Sequence, residues 1–176
     1  MARAGAGHPR LPASLTLVPG DSLQSHYSPT SRCFGCGPAN ELGLRIESHK
    51  TEGAAEPGEL VADWQPLPHH AAFEGVLNGG IIGTLLDCHA NWTAAMHLMR
   101  ERGLDRPPGC VTADYMIRMR RPTPTDQPVH LRAWPVEIDG DRVVVDAELR
   151  SGGIITATCR GTFVAVGPDH PAFDRW

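Results

Sequence analysis

The chain has 176 residues, a formal charge of −4 at pH 7 and an isoelectric point near 6.1, and this balance argues against general binding to nucleic acids or acidic membranes. No apolar run reaches the roughly 18 residues of a membrane-spanning helix. The five cysteines are an odd number and do not suggest a disulfide framework, so a reducing, cytoplasmic location is expected.

Three segments are predicted along the chain. Residues 1–30 are rich in Pro, Gly, Ser and Ala without periodicity and are interpreted as a disordered or lid-like tail. Their Arg-containing, acid-poor start leaves a mitochondrial-type presequence open. Residues 31–167 carry the regular patterns and are predicted to form one domain, followed by a polar tail at 168–176.

Two strands are predicted at the start of the domain. Leu42, Leu44 and Ile46 alternate with polar residues, which predicts a first strand. Residues 59–64 form a second strand pattern after a Gly- and Pro-containing turn, and the two strands are expected to pair as a hairpin. The pair Cys33-x-x-Cys36 resembles half of a zinc site, but no second close pair follows it, so no metal is expected.

A long helix is predicted from about Gly79 to Arg100, after a loop at residues 65–78. Apolar residues recur at helical spacing and define a packed face. The opposite face carries small residues and a single acid, Asp87, and no Lys or Glu lies between Ile81 and Met99. This composition favours close approach of another backbone or a ligand, although an amphipathic helix with a solvent face is the alternative.

The start of this helix is a candidate binding site in its own right. Its first N–H groups have no partner inside the helix and carry partial positive charge, and Gly79 and Gly80 leave them uncovered. A carbonyl oxygen that develops negative charge is expected to bind there. The alternative is an ordinary turn in which the two glycines supply only positive φ.

Four strand patterns follow the helix, at residues 111–120, 129–138, 143–150 and 154–166, separated by turn signals. One helix covers a six-stranded antiparallel sheet only if the sheet curves around it, which predicts an α+β fold of that kind. Pro128 and Pro135 favour a position near an edge or a bulge. Strict alternation places Thr112 on one face with Arg118 and Arg120.

Three motifs resemble hotdog-fold acyl-CoA thioesterases of the PaaI-like group. They are Asn78-Gly79-Gly80 followed by Asp87, the strand from Thr112 to Pro122, and the segment Cys33–Pro38 with Leu42-Gly43-Leu44. Together they cover about residues 33–166 in register. In the group, a His usually occupies the position of Asn78, and an amide holds the loop there but does not titrate.

The resemblance implies hydrolysis of an acyl-CoA to free acid and CoA by a homodimer or a dimer of dimers. It assigns Asp87 as nucleophile or general base, the Gly79 N–H as the group that polarises the carbonyl, and Asn78 and Thr112 as supporting residues. The residues expected to bind substrate are Gly80, Arg118, Arg120 and Arg121. No cofactor is expected beyond the CoA of the substrate.

Two other activities are alternatives to hydrolysis. A non-catalytic acyl-CoA binding or sensing module on the same fold would keep the basic residues but would not need Asp87. A dehydratase or isomerase would need a His paired with a carboxylate in the site, and His89 is predicted on the packed face instead. Chain length and aromaticity of the acyl group are not encoded in the periodicity.

Overall fold

The protein is organised around one long helix, α2, which spans Gly79–Glu101 and has 23 residues. The structure is a computed structural model that describes residues 22–51 and 53–173. Asn78 caps the first turn of α2 with its side chain, and Gly103, at a φ of 61°, lets the chain leave the last turn. The predicted helix is confirmed to within one residue at its end.

The predicted sheet of six antiparallel strands packed on this helix is confirmed. The strands stand in the order β1-β2-β6-β7-β8-β5, and every neighbouring pair is antiparallel. Their bounds are β1 His49–Lys50, β2 Leu60–Trp64, β5 Cys110–Met119, β6 Val129–Asp139, β7 Arg142–Ser151 and β8 Ile154–Ala165. The four later strands lie where the sequence predicts them.

Helix α2 is enclosed on all sides over most of its length. Each residue from 88 to 98 is buried, and the helix packs against β5, β6, β7 and β8. The face that was predicted to pack, around Leu85, Leu86 and Trp92, is almost completely inaccessible. The opposite face is covered as well, because Ile117 of β5 lies against Gly83 and Ala90, Asn91 and Ala94 are buried. The interpretation of that face as a solvent face is therefore wrong.

The first predicted strand is wrong. Residues 42–47 are irregular, Leu42 is 91% exposed, and Arg45 has a φ of 47°, which no strand residue adopts. Leu44 and Ile46 are buried in a loop segment whose N–H groups donate to the carbonyls of Phe34 and Gly35. The hairpin with β2 is formed instead by the two-residue strand β1.

Part of the predicted N-terminal tail is folded. Residues 1–21 lie outside the described residues, but Leu23–Tyr27 forms a short helix, α1, capped by Ser22. Leu23 and Gln24 are buried, so the interpretation of residues 22–28 as tail is corrected. The extent of the domain otherwise stays a prediction.

A chain of buried hydrogen bonds connects α1 to α2 and the sheet. Gln24 Nε2 donates to Ser48 Oγ at 2.9 Å, and Ser48 Oγ lies 2.8 Å from His89 Nδ1. His89 Nε2 lies 3.1 Å from the carbonyl oxygen of Leu60. The arrangement is satisfied when Nε2 carries the proton and Nδ1 accepts from Ser48, so His89 is a neutral structural residue.

Pro135 lies at a bulge, in a stretch of β6 that β2 does not pair with, which agrees with the prediction of an edge or a bulge. Strand β6 lies between β2 and β7, and the register between β6 and β7 shifts between Pro135 and Glu137. Pairing of β6 with β2 stops at Ala133, so the missing N–H of Pro135 interrupts no ladder on that side.

Among the described helices, none is both long and apolar enough to cross a membrane.

The burial of His89 predicts a specific loss of stability in acid. Burial lowers its pKa from about 6.5 to about 4, so below pH 6.5 the unfolded chain binds a proton that the folded protein does not. The free energy of unfolding should therefore fall by about 3 kcal/mol as pH drops from 6.5 to 4, with no further loss below. Denaturant titrations from pH 7 to pH 3.5 measure it.

The variant His89→Gln, which keeps an amide donor for Leu60 but has no titrating ring, is the control for this loss. Its free energy of unfolding should lack the His89 part of the pH dependence. Equal pH slopes in the parent and the variant would contradict the assignment.

Candidate active site

One backbone N–H group at the N-terminus of α2 has no hydrogen-bond acceptor within the described part of the chain. Asn78 Oδ1 accepts from the Gly80 N–H at 2.7 Å and from the Ile81 N–H at 3.4 Å. No hydrogen bond to the Gly79 N–H occurs among residues 22–51 and 53–173, and Gly79 is exposed. The predicted polarising amide is thus available to a ligand, whereas the predicted binding amide of Gly80 is already satisfied.

Turn geometry does not explain the two glycines. Neither Gly79 nor Gly80 has a positive φ, so the alternative of a plain positive-φ turn is wrong. A Cβ added to Gly79 would meet only the Met119 side chain, at an ordinary 3.5 Å. Packing within this chain therefore does not demand glycine at residue 79, and the open surface above its N–H is a feature that a bound group would use.

Asp87 lies between α2 and β5, held by a side-chain hydrogen bond. The Thr112 hydroxyl donates to Asp87 Oδ1 at 2.7 Å, and both residues are half-buried. The structure therefore places Thr112, which the resemblance implies as a supporting residue, in direct contact with Asp87. A short bond of this kind to a carboxylate is stronger than one between neutral groups and fixes the rotamer of the acid.

The face predicted for Thr112 is wrong because of a bulge. Thr112 pairs with Phe163 and Asp114 pairs with Thr162, so Ala113 is one extra residue in β5. A bulge exchanges the faces on either side of it. Thr112 consequently points at the helix, on the side of Ile117, and not on the side of Arg118.

Asp87 also influences a buried thiol on the neighbouring strand. Burial raises the pKa of Cys159 to about 12, and the negative charge of Asp87 adds to the rise. Cys159 is 4% exposed and stays a neutral thiol at physiological pH. It therefore offers no thiolate nucleophile beside the acid.

A cleft of about 370 Å³ opens beside the N-terminus of α2. Two of the three arginines predicted to bind substrate, Arg120 and Arg121, line it together with Gly79, while Arg118 does not. Arg118 pairs with Thr158 on β8, and alternation places its side chain on the sheet face away from the helix. The other lining residues are Phe73, Val76, Leu77, Ile82, Met119, Pro122 and Thr123.

A small hairpin, which the sequence patterns did not predict, lies directly before the N-terminus of α2. Strands β3, Ala71–Phe73, and β4, Val76–Leu77, form a second sheet within the predicted loop. The Leu77 N–H donates to the Thr123 carbonyl and the Asn78 N–H to the His70 carbonyl. The turn signal was Gly75, whose φ is 74°, but strands of two or three residues are too short for a periodic pattern.

The candidate residues of one chain fall into two separate groups. Gly79 and Asp87 are eight residues apart on one helix, which corresponds to about 12 Å along its axis. A single carbonyl group does not contact both, since hydrogen bonds and nucleophilic attack each need about 3 Å. The Gly79 N–H and the Asp87 carboxylate of one chain therefore lie at two separate places.

Strand β5 provides a free edge, close to Asp87, at which a second chain could pair and bring its own Gly79 to that acid. It lies at the end of the sheet and pairs on one side with β8, and no other strand of the described chain pairs with its free edge. Tyr115, Met116 and Met119 are 47%, 61% and 52% exposed. A ten-residue edge with exposed apolar side chains is a typical site for strand pairing between chains.

Comparison with known proteins agrees with this architecture. The family model described as the thioesterase superfamily matches residues 74–158, a range that contains α2, Asp87 and β5. The chain therefore has the hotdog fold, residues 74–158 are similar to the thioesterase superfamily, and the resemblance to PaaI-like thioesterases is confirmed. The match supports thioester hydrolysis as the class of reaction. None of the curated proteins compared matches the chain.

Solved structures share the fold at low sequence identity. A thioesterase superfamily protein from Shewanella loihica has a TM-score of 0.58 and 25% identity, with 74% of this chain and 98% of that chain covered. The E. coli PaaI protein from the phenylacetic acid degradation operon has a TM-score of 0.58 and 17% identity, with coverages of 70% and 81%.

A third structure is longer than the region shared with this chain. It is a thioesterase superfamily protein with a TM-score of 0.61 and 22% identity, and the alignment covers 75% of this chain. This chain spans only 62% of that protein's length. The shared region is therefore a domain-level match.

The capping role of Asn78 gives a stability prediction. Replacing Asn78 with Ala removes the acceptor for the Gly80 and Ile81 N–H groups and should lower the free energy of unfolding by about 1 kcal/mol. Asn78→Asp keeps a capping oxygen and adds a favourable charge at the helix start, so it should stay at or above the parent value. Equal stability of all three proteins in urea titrations would contradict the role.

Proposed function

We propose that the protein hydrolyses an acyl-CoA thioester to free acid and CoA, with Asp87 as nucleophile or general base. The observation that carries the proposal is the Asp87 carboxylate, which Thr112 holds in a half-buried junction beside an unpaired strand edge. An oriented, partly desolvated carboxylate either attacks the thioester carbonyl to form an anhydride or deprotonates the attacking water.

The Gly79 N–H would stabilise the oxygen of the reacting carbonyl. It lies at the positive end of α2, and Asn78 orients the turn without covering it. One donor of this kind contributes on the order of a hundredfold to a thousandfold in rate. The amide of Asn78 has a structural task here and transfers no proton, which accords with its replacement of the usual His of the group.

The separation of about 12 Å along α2 supports a homodimer with shared sites. In this arrangement Asp87 of one protomer meets the Gly79 amide of its partner, and β5 of each chain pairs at the interface. The symmetric contact creates two equal sites per dimer. A dimer of dimers is compatible with the same unit.

Arg120 and Arg121 would bind the phosphates of coenzyme A. Guanidinium groups bind phosphate oxygens in a two-pronged geometry, and both residues line the cleft next to Gly79. The apolar lining from Phe73, Leu77 and Ile82 suits a pantetheine or acyl chain. The alternative function, a non-catalytic acyl-CoA sensor, would use the same cleft without turnover.

Asp87→Asn separates hydrolysis from binding. We expect kcat to fall on the order of a thousandfold, while a non-hydrolysable acyl-CoA analogue binds with nearly unchanged affinity. Release of free thiol from short, long and aromatic acyl-CoAs measures the rate. Asp114→Asn is the matched control, because Asp114 lies on the far side of the bulge and is exposed.

The outcome of this experiment also decides between the two functions. An unchanged rate in Asp87→Asn would refute the role of the acid. Binding of acyl-CoAs by the parent protein without turnover of any of them would establish the sensor instead.

Gly79→Pro removes the proposed donor with little change to the helix. Proline is favoured at the first helical position, and Asn78, at φ −62° and ψ 133°, has the extended backbone that must precede it. We expect kcat to fall by about a hundredfold or more, whereas Gly79→Ala, which retains the N–H, should keep most activity. Loss of activity in both variants alike would point to steric blockage instead.

Mixing two inactive variants tests whether the sites are shared. A heterodimer of Asp87→Asn and Gly79→Pro protomers has one site with both native groups, so random reassociation should restore about a quarter of the parent activity. If each chain carried a complete site, every site in the mixture would be defective and no activity would return. A monomeric preparation that is fully active would likewise exclude the shared site.

Arg121→Ala should raise KM for an acyl-CoA about tenfold or more with little effect on kcat, through loss of a charged phosphate contact. The same variant should act normally on the matching acyl-N-acetylcysteamine, which has no phosphate. Arg118→Ala, on the other face of β5, should change KM much less. Equal effects of Arg118 and Arg121 on KM would contradict the placement of CoA in this cleft.

A further inference from the structure

Three cysteines from distant parts of the sequence meet on one side of α2. The Sγ atoms of Cys33, Cys36 and Cys88 all lie within 4.8 Å of one another. Cys33 and Cys88 are 55 residues apart in the sequence and their sulfurs are 3.8 Å apart. Sequence spacing gives no sign of this cluster, because the packing of the loop on the helix brings Cys88 to the Cys33-x-x-Cys36 pair.

We propose that Cys33, Cys36 and Cys88 form a three-thiolate site for one zinc-class cation, with solvent as the fourth ligand. The site would tie the loop at residues 33–37 to α2. It is independent of the proposed hydrolysis. Successive residues of a helix point about 100° apart, so the Cys88 sulfur is directed away from the junction that holds Asp87.

The spacing of the sulfurs matches tetrahedral coordination. With a zinc–sulfur bond of about 2.3 Å, two thiolates on a tetrahedral ion lie about 3.8 Å apart. The Cys33–Cys88 pair is already at this distance, and the widest pair needs a movement of about 1 Å. A disulfide, by contrast, needs about 2.05 Å between two sulfurs and would leave the third thiol unused.

The surroundings of the thiols provide donors suited to thiolates. Contacts with the Cys36 and Cys88 thiols and with nearby backbone N–H groups lower the pKa of Cys33, whereas the contact with Cys33 and burial raise the pKa of Cys36 and of Cys88. A bound cation would therefore have to displace the protons of the latter two thiols. Donors to the sulfur orient metal ligands and offset their charge.

The loop is shaped to bring its sulfurs onto the helix. The Gly37 N–H donates to the Cys33 carbonyl at 2.9 Å, and a Cβ at Gly37 would come within 2.4 Å of the Cys33 N. A Cβ at Gly35 would lie 2.4 Å from Cys88 Sγ. Both glycines therefore permit a close approach that larger residues would prevent.

The access and charge of the cluster also suit a cation. Cys36 and Cys88 are buried, while Cys33 is exposed, so an ion can enter from solvent and keep a water on that side. Binding converts each S–H to a metal–sulfur bond and releases its proton to solvent. The remaining cysteines, Cys110 and Cys159, are not part of this cluster among the described residues.

Cobalt(II) added to the reduced, full-length protein tests the site. We expect one ion per chain, with thiolate-to-cobalt charge-transfer absorption and the visible bands of tetrahedral cobalt, and displacement of the cobalt by Zn²⁺. Cys33→Ser should weaken Zn²⁺ binding about a hundredfold or more and reduce the charge-transfer intensity. Because Cys33 is exposed, this variant keeps the fold. Cys110→Ala, which removes a thiol outside the cluster, should leave the spectrum unchanged.

Alkylation measured by mass spectrometry gives an independent readout. Zn²⁺ should protect Cys33, Cys36 and Cys88 in the parent protein. A reduced parent protein without the charge-transfer band, or a band of equal intensity in Cys33→Ser, would overturn the site. Loss of two of these thiols to a disulfide on oxidation, in a protein that binds no cobalt when reduced, would overturn it in favour of a redox pair.

Discussion

The enclosure of α2 from residue 88 to residue 98 is the constraint on which the rest of the structure depends. A helix whose residues 88–98 are all buried needs apolar cover around its whole circumference, and no flat sheet supplies that. The curved sheet covers one side. The loop at residues 33–37, the segment of Leu44 and Ile46, and α1 cover the other.

Enclosure also explains which polar residues α2 tolerates. A buried polar group is costly unless it is hydrogen-bonded, and the described partners meet this need residue by residue. His89 bonds to Ser48 and Leu60, Thr93 donates to the carbonyl of its own preceding turn, and Asp87 accepts from Thr112. Asp87 differs from the others because it lies next to a strand edge that a second chain can reach.

Much of the architecture follows from local signals. The helix was predictable because a capping Asn and two glycines precede a long run without Pro, and Gly103 follows it. Strands β6 to β8 were predictable because Gly140 and the Gly152-Gly153 pair, which have positive φ in the structure, mark their turns. Asp87 and Gly79 stood out because an acid and glycines are unusual on a helix without other charges.

The parts that failed depend on contacts between distant segments. The alternation at Leu44 and Ile46 is typical of a strand, but here it records a loop bound to residues 34 and 35. The arginines near Pro122 were predicted to bind substrate together, but only Arg120 and Arg121 line the cleft, and Arg120 also donates to Thr158, the residue that pairs with Arg118. The approach of Cys88 to Cys33 has no local signature at all, because it depends on how the loop is laid over the helix.

The extra residue at Ala113 separates β5 into two stretches of opposite parity. The short stretch before Ala113 contains Thr112, whose hydroxyl donates to Asp87. The longer stretch after it directs Tyr115 and Ile117 toward Gly83 and leaves its outer edge for another chain. In the proposed dimer, one inserted residue would thus let different side chains of a single strand hold the acid and contact the partner chain, so substitutions that alter subunit contacts would leave Thr112 in place beside Asp87.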